Sequence, residues 1–149
     1  MHALFKILTQ KNIKLSAVES ITGGSFSSYI TKNPGASKIF LGSLVTYDTT
    51  IKNKILKINV DQGVINQETA TAMAKAGQTF FESDICIAFT GNAGPNAVEN
   101  KPIGLTYLTI LYKEELFEFS FQSSSLIRET IIEQTVLFGI KKILDILQN

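Results

Sequence analysis

The feature of this sequence that most narrows its fold is a helical pattern that runs almost directly into a continuous apolar stretch. From Gln67 onward, Ala70, Met73, Ala74, Gly77, Phe80 and Phe81 recur at helical spacing and predict a helix with one face turned to a core. Asn66 stands at the N-cap position and Glu68 suits the first turn. Asp84 to Thr90 follows, and its apolar centre, Ile85-Cys86-Ile87-Ala88-Phe89, reads as a strand covered on both faces and therefore central in its sheet.

The rest of the chain extends that arrangement. Ala3, Leu4, Ile7 and Leu8 predict a short opening helix packed across a sheet edge. Lys14 to Val18 reads as a buried strand, and a glycine turn leads into a helix from Ser25 to Thr31 that stops near Asn33-Pro34-Gly35. Lys38 to Tyr47 reads as a second strand, with Gly42-Ser43 marking a bulge or a close backbone approach. Asp48 or Thr49 then caps a helix carrying Ile51, Lys52, Ile55 and Leu56. Ile103 to Tyr112 and Glu115 to Gln122 read as an antiparallel hairpin turning near Lys113-Glu114, with Phe117, Phe119 and Phe121 alternating against Glu118, Ser120 and Gln122. A closing helix from Ser124 to Leu147 offers Ile132, Val136, Ile140, Ile143 and Leu147 to the core. The expectation is one domain over residues 1–149, an α/β fold of three layers (α/β/α), with a mixed sheet of about five or six strands and helices on both faces.

Composition removes several functions. The net charge is +1 and the basic residues are scattered, so the footprint that phosphate-backbone binding needs is missing and no nucleic-acid partner is expected. No apolar run is long enough to span a bilayer, and the N-terminus has no signal-peptide centre, so the expected location is cytoplasmic. Cys86 is the single cysteine and His2 the single histidine. Cys86 reads as a small core residue and His2 as a solvated one at a chain end. A Ser-His-Asp triad has no base in this chain, and neither a metal site nor a cofactor is expected.

The chemistry concentrates at Ala17-Val18-Glu19-Ser20-Ile21-Thr22-Gly23-Gly24, where the first strand breaks into hydroxyls and paired glycines before a helix. Glycine permits positive φ and close approach to a ligand, and a helix N-terminus favours an anion. Three strands of one sheet leave the core through polar exits, at Glu19-Ser20, Thr46-Tyr47 and Thr90-Gly91. Ligands of open α/β sheets gather beyond such strand ends. Glu19 at a buried strand end needs a partner: it can hold Lys52, accept from a ribose hydroxyl, or cap a nearby helix.

These residues resemble the CinA C-terminal domain family, whose characterised enzymatic members are nicotinamide-nucleotide amidases. The likeness rests on the run Ala17 to Gly24, Pro34-Gly35-Ala36-Ser37, Val45-Thr46-Tyr47 with Lys52 beyond, Gly63, and Glu68-Thr69-Ala70. It continues through Thr90-Gly91, Ala93-Gly94-Pro95, Lys101-Pro102 before Gly104, and Phe121 followed by Arg128. It takes in nearly the whole chain, as a stand-alone form of a domain that in longer relatives follows another one. The resemblance implies hydrolysis of nicotinamide mononucleotide to nicotinate mononucleotide and ammonia. Without a usable histidine, the catalytic candidates are Ser20 as nucleophile, Lys52 as proton acceptor and Tyr47 as their assistant. Glu19, Thr22, Gly23, Gly24, Thr90, Gly91, Ala93, Gly94 and Arg128 are the candidate substrate-binding residues. Helix N-termini at the two glycine-rich loops would seat the 5′-phosphate, with Arg128 adding a charged fork and a loop's N–H groups forming an oxyanion hole. A homodimer is expected.

Plainer roles stand beside these. Lys52 could be an exposed helix lysine, Tyr47 a packed strand-end ring, and Arg128 a surface partner of Glu118 or Glu129. The chain also departs from the family pattern at Ile21, Ser43, Asp48-Thr49, Asn92, Asn96-Ala97-Val98 and Ser123-Ser124-Ser125. The alternative function is therefore an inactive paralogue that binds a nucleotide or serves as a competence-associated interaction module.

Overall fold

The computed structural model describes all residues, 1–149. Five strands, β1 (Leu15–Glu19), β2 (Phe40–Val45), β3 (Ile85–Gly91), β4 (Leu105–Tyr112) and β5 (Glu115–Gln122), form one sheet in the order β2-β1-β3-β4-β5. β1 runs parallel to both β2 and β3, while β3 with β4 and β4 with β5 are antiparallel. Five α-helices cover it: α1 (His2–Gln10), α2 (Ser25–Thr31), α3 (Thr49–Leu56), α4 (Gln67–Phe81) and α5 (Arg128–Gln148). None is long and apolar enough to cross a membrane.

The pleat of β3 shows why the sheet needs helices on both faces. Ile85, Ile87 and Phe89 join Leu4, Leu8, Phe26, Val136 and Ile143 in one apolar cluster, under α1, α2 and α5. Cys86 and Ala88 turn the other way, into a smaller cluster with Val18, Met73, Ala74 and Leu111 beneath α4. Each fully buried Leu, Ile or Phe in such a core contributes about 1.5–3 kcal/mol. Gly77 lets α4 lie close to the sheet, since a Cβ there would sit 2.3 Å from Val18 Cγ2 and 2.7 Å from Cys86 Sγ.

Local chemistry sets the element ends. Asn66 caps α4 by accepting from Thr69 N at 2.8 Å, and Asp48 caps α3 by accepting from Thr50 N at 2.8 Å. The bulge anticipated at Gly42-Ser43 falls just before it, where the register passes from Leu15↔Phe40 to Ser16↔Gly42 and leaves Leu41 extra. β2 is shorter than expected, because a 3-10 turn over Ala36–Lys38 takes up its predicted start.

Other expectations need correction. α1 packs against α5 within the larger cluster instead of crossing a sheet edge. Phe80 is 63% exposed, because the buried stripe of α4 ends at Gly77. α5 begins at Arg128, not Ser124: Ser123 Oγ accepts from Ser125 N and Ser125 Oγ from Ile127 N, each at 3.0 Å, and these local bonds compete with helix. Ile132 is only partly buried, and the core face of α5 is carried by Ile131, Val136, Ile140, Ile143 and Leu147.

Candidate functional site

The three polar exits lie side by side. Thr46 N donates to Glu19 O at 2.9 Å and Ser20 N donates to Phe89 O at 3.1 Å, so Thr46, Ser20 and Thr90 line the carboxyl edge of β2, β1 and β3. This is the edge of a parallel sheet at which ligands collect.

Ser20 is 8% exposed, and its hydroxyl makes no hydrogen bond within the protein. The chain turns just after it, with Gly23 N donating to Ser20 O at 3.1 Å and Gly23 and Gly24 at φ +54° and +98°. The turn leaves the N–H groups of Ile21 and Thr22 without an acceptor in the protein. Two free amides directly following a hydroxyl are donors suited to a developing oxyanion.

Glu19 resolves its three alternatives in favour of the cap. The side chain is fully buried; one oxygen accepts from Thr22 Oγ1 at 2.7 Å and from Gly24 N and Phe26 N at 3.0 Å. The other accepts from Ser27 N at 3.1 Å, Ser27 Oγ at 2.5 Å and Ser43 Oγ at 3.1 Å. Its carboxylate thus fills the anion seat at the start of α2, which corrects two expectations. Glu19 and the Thr22 hydroxyl spend their hydrogen bonds inside the fold, and the helix-dipole seat expected for a phosphate at Thr22-Gly23-Gly24 is taken by the protein's own carboxylate.

The second glycine loop is also committed to the fold. No helix follows it; the chain goes on to β4. Thr90 Oγ1 donates to Val64 O at 2.5 Å, and Gly94 N donates to Asn92 Oδ1 at 2.9 Å. Gly91 is demanded by packing, since a Cβ there would stand 2.6 Å from Leu105 O and 2.9 Å from Ile21 Cδ1. Ala93 is buried beside them. The expectation of a helix-dipole phosphate seat at Thr90 to Gly94 is overturned with the first.

Lys52 is the unusual charge. It is 1% exposed, and its amine donates to the carbonyl oxygen of Tyr47 at 2.9 Å. No carboxylate lies within ion-pair reach of it; Lys142 with Asp145 is the sole side-chain ion pair. Burial pulls its pKa from the ordinary 10.5 down to about 8, and the negative charges of Asp48 and Glu99 pull weakly the other way. The role of exposed helix lysine is therefore excluded.

Tyr47 is 56% exposed, and its hydroxyl accepts from Arg128 Nη2 at 2.6 Å. Arg128 Nη1 donates to Gly94 O at 2.6 Å, so one guanidinium ties the connection after β2 to the loop after β3. It bonds neither Glu118 nor Glu129. A cleft of about 650 Å³ opens beside it between α2 and α5, lined by Ser25, Ser28, Lys32, Arg128 and Glu129 among others, but not by Ser20 or Lys52. The structure thus links Lys52, Tyr47, Arg128 and Gly94, whereas no hydrogen bond joins the Ser20 hydroxyl to Lys52 or Tyr47.

One residue escaped the reading of the sequence. Thr46 is 1% exposed, and its Oγ1 is the single buried side-chain oxygen or nitrogen with no hydrogen-bond partner. Leaving a buried hydroxyl unpaired costs about 1–3 kcal/mol. Its place in the exit Thr46-Tyr47 was visible in the sequence; its solitude was not. No group of three or more His, Cys, Asp or Glu side chains converges as a metal site would require.

Comparisons with known proteins agree with this architecture. The model of the CinA C-terminal domain matches residues 1–147. A CinA-like protein of Petrotoga mobilis is 34% identical over 153 residues, which take in 98% of this chain and 37% of that protein. The chain spans about a third of the length of the curated relatives it matches. Among solved structures, a competence or damage-inducible protein from Enterobacter asburiae superposes with a TM-score of 0.94 at 23% identity, over 98% of this chain and 94% of that one. A competence-damaged protein (CinA) superfamily member from Escherichia coli gives 0.92 at 24% identity, over 97% and 86%. At those identities the likeness speaks for the fold.

Proposed function

The chain belongs to the CinA C-terminal domain family, and on that premise we propose that it hydrolyses the carboxamide of nicotinamide mononucleotide to nicotinate mononucleotide and ammonia. The observation that carries this reading is Lys52: a buried amine without a carboxylate partner, its pKa drawn down to about 8, at the sheet edge where Ser20 emerges. A lysine so placed exists partly as the neutral amine near neutral pH and can serve as a general base.

In the first half-reaction, Ser20 Oγ attacks the carboxamide carbon while the Lys52 amine takes the hydroxyl proton. The N–H groups of Ile21 and Thr22 receive the negative charge on the carbonyl oxygen. Lys52 then returns the proton to the departing nitrogen, which leaves as ammonia and leaves an ester on Ser20. Water, deprotonated by the same amine, then attacks the ester carbon; the C–O bond to Ser20 breaks as Lys52 returns that proton to Ser20 Oγ, and the acid released ionises to the carboxylate. Lys52 must swing toward Ser20 for this while still donating to the Tyr47 carbonyl, a rearrangement we assign to substrate arrival. The 5′-phosphate falls to Arg128, which spends two of its five N–H donors on Tyr47 and Gly94 and has the rest to offer.

Purified protein incubated with nicotinamide mononucleotide should release ammonia, and Ser20→Ala should abolish release with the fold intact. Absence of release from well-folded protein overturns the reading. The unjoined Ser20 and Lys52 favour a second reading, a non-hydrolytic nucleotide-binding module, which thermal stabilisation by the nucleotide without product would support.

A further inference from the structure

The hydroxyl of Thr46 is buried at the same strand ends and has nothing to bond. Apart from the Ser20 hydroxyl, which is not fully enclosed, the buried polar side chains nearby are satisfied: Thr22 by Glu19, Thr90 by Val64 O, Lys52 by Tyr47 O. A valine would fill the same volume with no unmet hydrogen bond, so nothing in the resting fold calls for the oxygen. Two main-chain contacts locate it. Thr46 N donates to the carbonyl of Glu19, the residue before Ser20, and Thr46 itself precedes Tyr47, whose carbonyl holds the Lys52 amine. The unpaired oxygen thus sits on the chain segment between the two reacting groups.

We propose that Thr46 is a positioning residue, whose hydroxyl accepts an N–H of Lys52 once that side chain turns toward Ser20. The proposal rests on the Ser-Lys reading above and goes beyond it. A neutral amine has two hydrogens and one lone pair. When the Tyr47 carbonyl and Thr46 Oγ1 hold the hydrogens, the lone pair has one direction left, which we assign to the Ser20 hydroxyl. In the ammonium that follows, the same two acceptors keep their hydrogens and the third is free for the leaving nitrogen.

The test compares Thr46→Val and Thr46→Ser with the natural protein in three measurements: thermal unfolding, ammonia release from nicotinamide mononucleotide, and labelling of Ser20 by a fluorophosphonate, in which Ser20 Oγ displaces fluoride from phosphorus. Thr46→Val should melt at the same or a higher temperature, because it removes an unmet hydroxyl. It should lower kcat and the labelling rate by about tenfold or more, with KM unchanged. The acid limb of kcat should move to lower pH, since an acceptor of the ammonium form is gone, and Thr46→Ser should restore rate and limb. A Thr46→Val protein that keeps its rates, melts markedly lower, or loses only KM overturns the proposal, and so does a failure of serine to rescue. Labelling without ammonia release in the natural protein defeats the substrate assignment alone and leaves the labelling rates to judge Thr46. Absence of both activities defeats the two together.

Discussion

The Lys52 amine lies 2.9 Å from the carbonyl oxygen of Tyr47 and meets no carboxylate, although the side chain is 1% exposed. A single neutral acceptor only partly replaces water, which is why burial prevails and the pKa falls to about 8. Between pH 8 and 10.5 the unfolded chain binds a proton at this residue that the folded chain has released, so stability rises with pH across that window. Below pH 8 both states are charged and the burial penalty is felt in full. A gap of this size corresponds to about 3 kcal/mol. Urea unfolding of the natural protein and of Lys52→Met, followed from pH 7 to pH 11, should show the natural protein gaining by roughly that amount relative to the variant. Parallel curves would mean that the amine is not held uncharged.

The same group sets an activity profile. If neutral Lys52 is the base, turnover climbs as pH passes through about 8, because the charged form has no lone pair. Glu99 tests the assignment from outside the site. Its carboxylate accepts from Val64 N at 2.9 Å and Ile65 N at 2.9 Å, and its charge raises the pKa of Lys52. Glu99→Gln retains an acceptor for those amides and removes the charge, so the acid limb should shift to lower pH in a pH-rate measurement. A shift in the opposite direction would assign the limb to another group.

Glu19 yields a prediction of a different sign from that of a substrate contact. Its two oxygens serve six donors around the start of α2, and a glutamine would turn an NH2 group against N–H donors. Glu19→Gln should therefore destabilise the protein by about 2–4 kcal/mol in urea unfolding. A ribose-binding carboxylate would instead leave stability untouched and raise KM.

Most of the scaffold was legible in the sequence because burial repeats. The apolar run Ile85 to Phe89 read as a central strand and the spacing from Ala70 to Gly77 as a core-facing helix, and α4 lies on β3 with both buried. Periodicity does not report where a helix overhangs its sheet, hence the exposed Phe80, nor where serine side chains capture the backbone, hence the late start of α5. The site was legible as a set of strand ends but misread in its electrostatics. A glycine turn before a helix looks the same whether its anion is a ligand or the protein's own Glu19, and only the hydrogen bonds of that carboxylate distinguish them. Thr46 illustrates the limit from the other side, since an unmet hydroxyl is defined by its neighbours and not by its residue type.

In the stability of the free protein, Arg128 should act through Tyr47 and not through an ion pair with a carboxylate. Its guanidinium joins the Tyr47 hydroxyl to the Gly94 carbonyl on an exposed surface, where single substitutions change stability by only about 0.5 kcal/mol. Arg128→Ala and Tyr47→Phe should nevertheless be non-additive, with a coupling energy of about 0.5–1 kcal/mol in a double-mutant cycle of unfolding free energies. Amide exchange around Gly94 should quicken in Arg128→Ala as the strap is released. Additive effects would show that the two side chains meet without holding the loops.

The contact of α4 with the sheet can be tested at Gly77. Alanine is the better helix former by about 1 kcal/mol, so on an open helix surface the exchange would stabilise. At this position the new Cβ would fall 2.3 Å from Val18 Cγ2 and 2.7 Å from Cys86 Sγ, both fully buried in strands that cannot yield separately. Overpacking of this kind costs about 1–3 kcal/mol, enough to reverse the helix gain. Gly77→Ala should therefore lower the unfolding free energy. The tighter contact is with Val18, so adding Val18→Ala should make the pair more stable than the sum of the two single changes, because the second opens the space the first requires. An alanine at residue 77 that stabilised the protein would mean that α4 stands further from β1 and β3 than these distances allow.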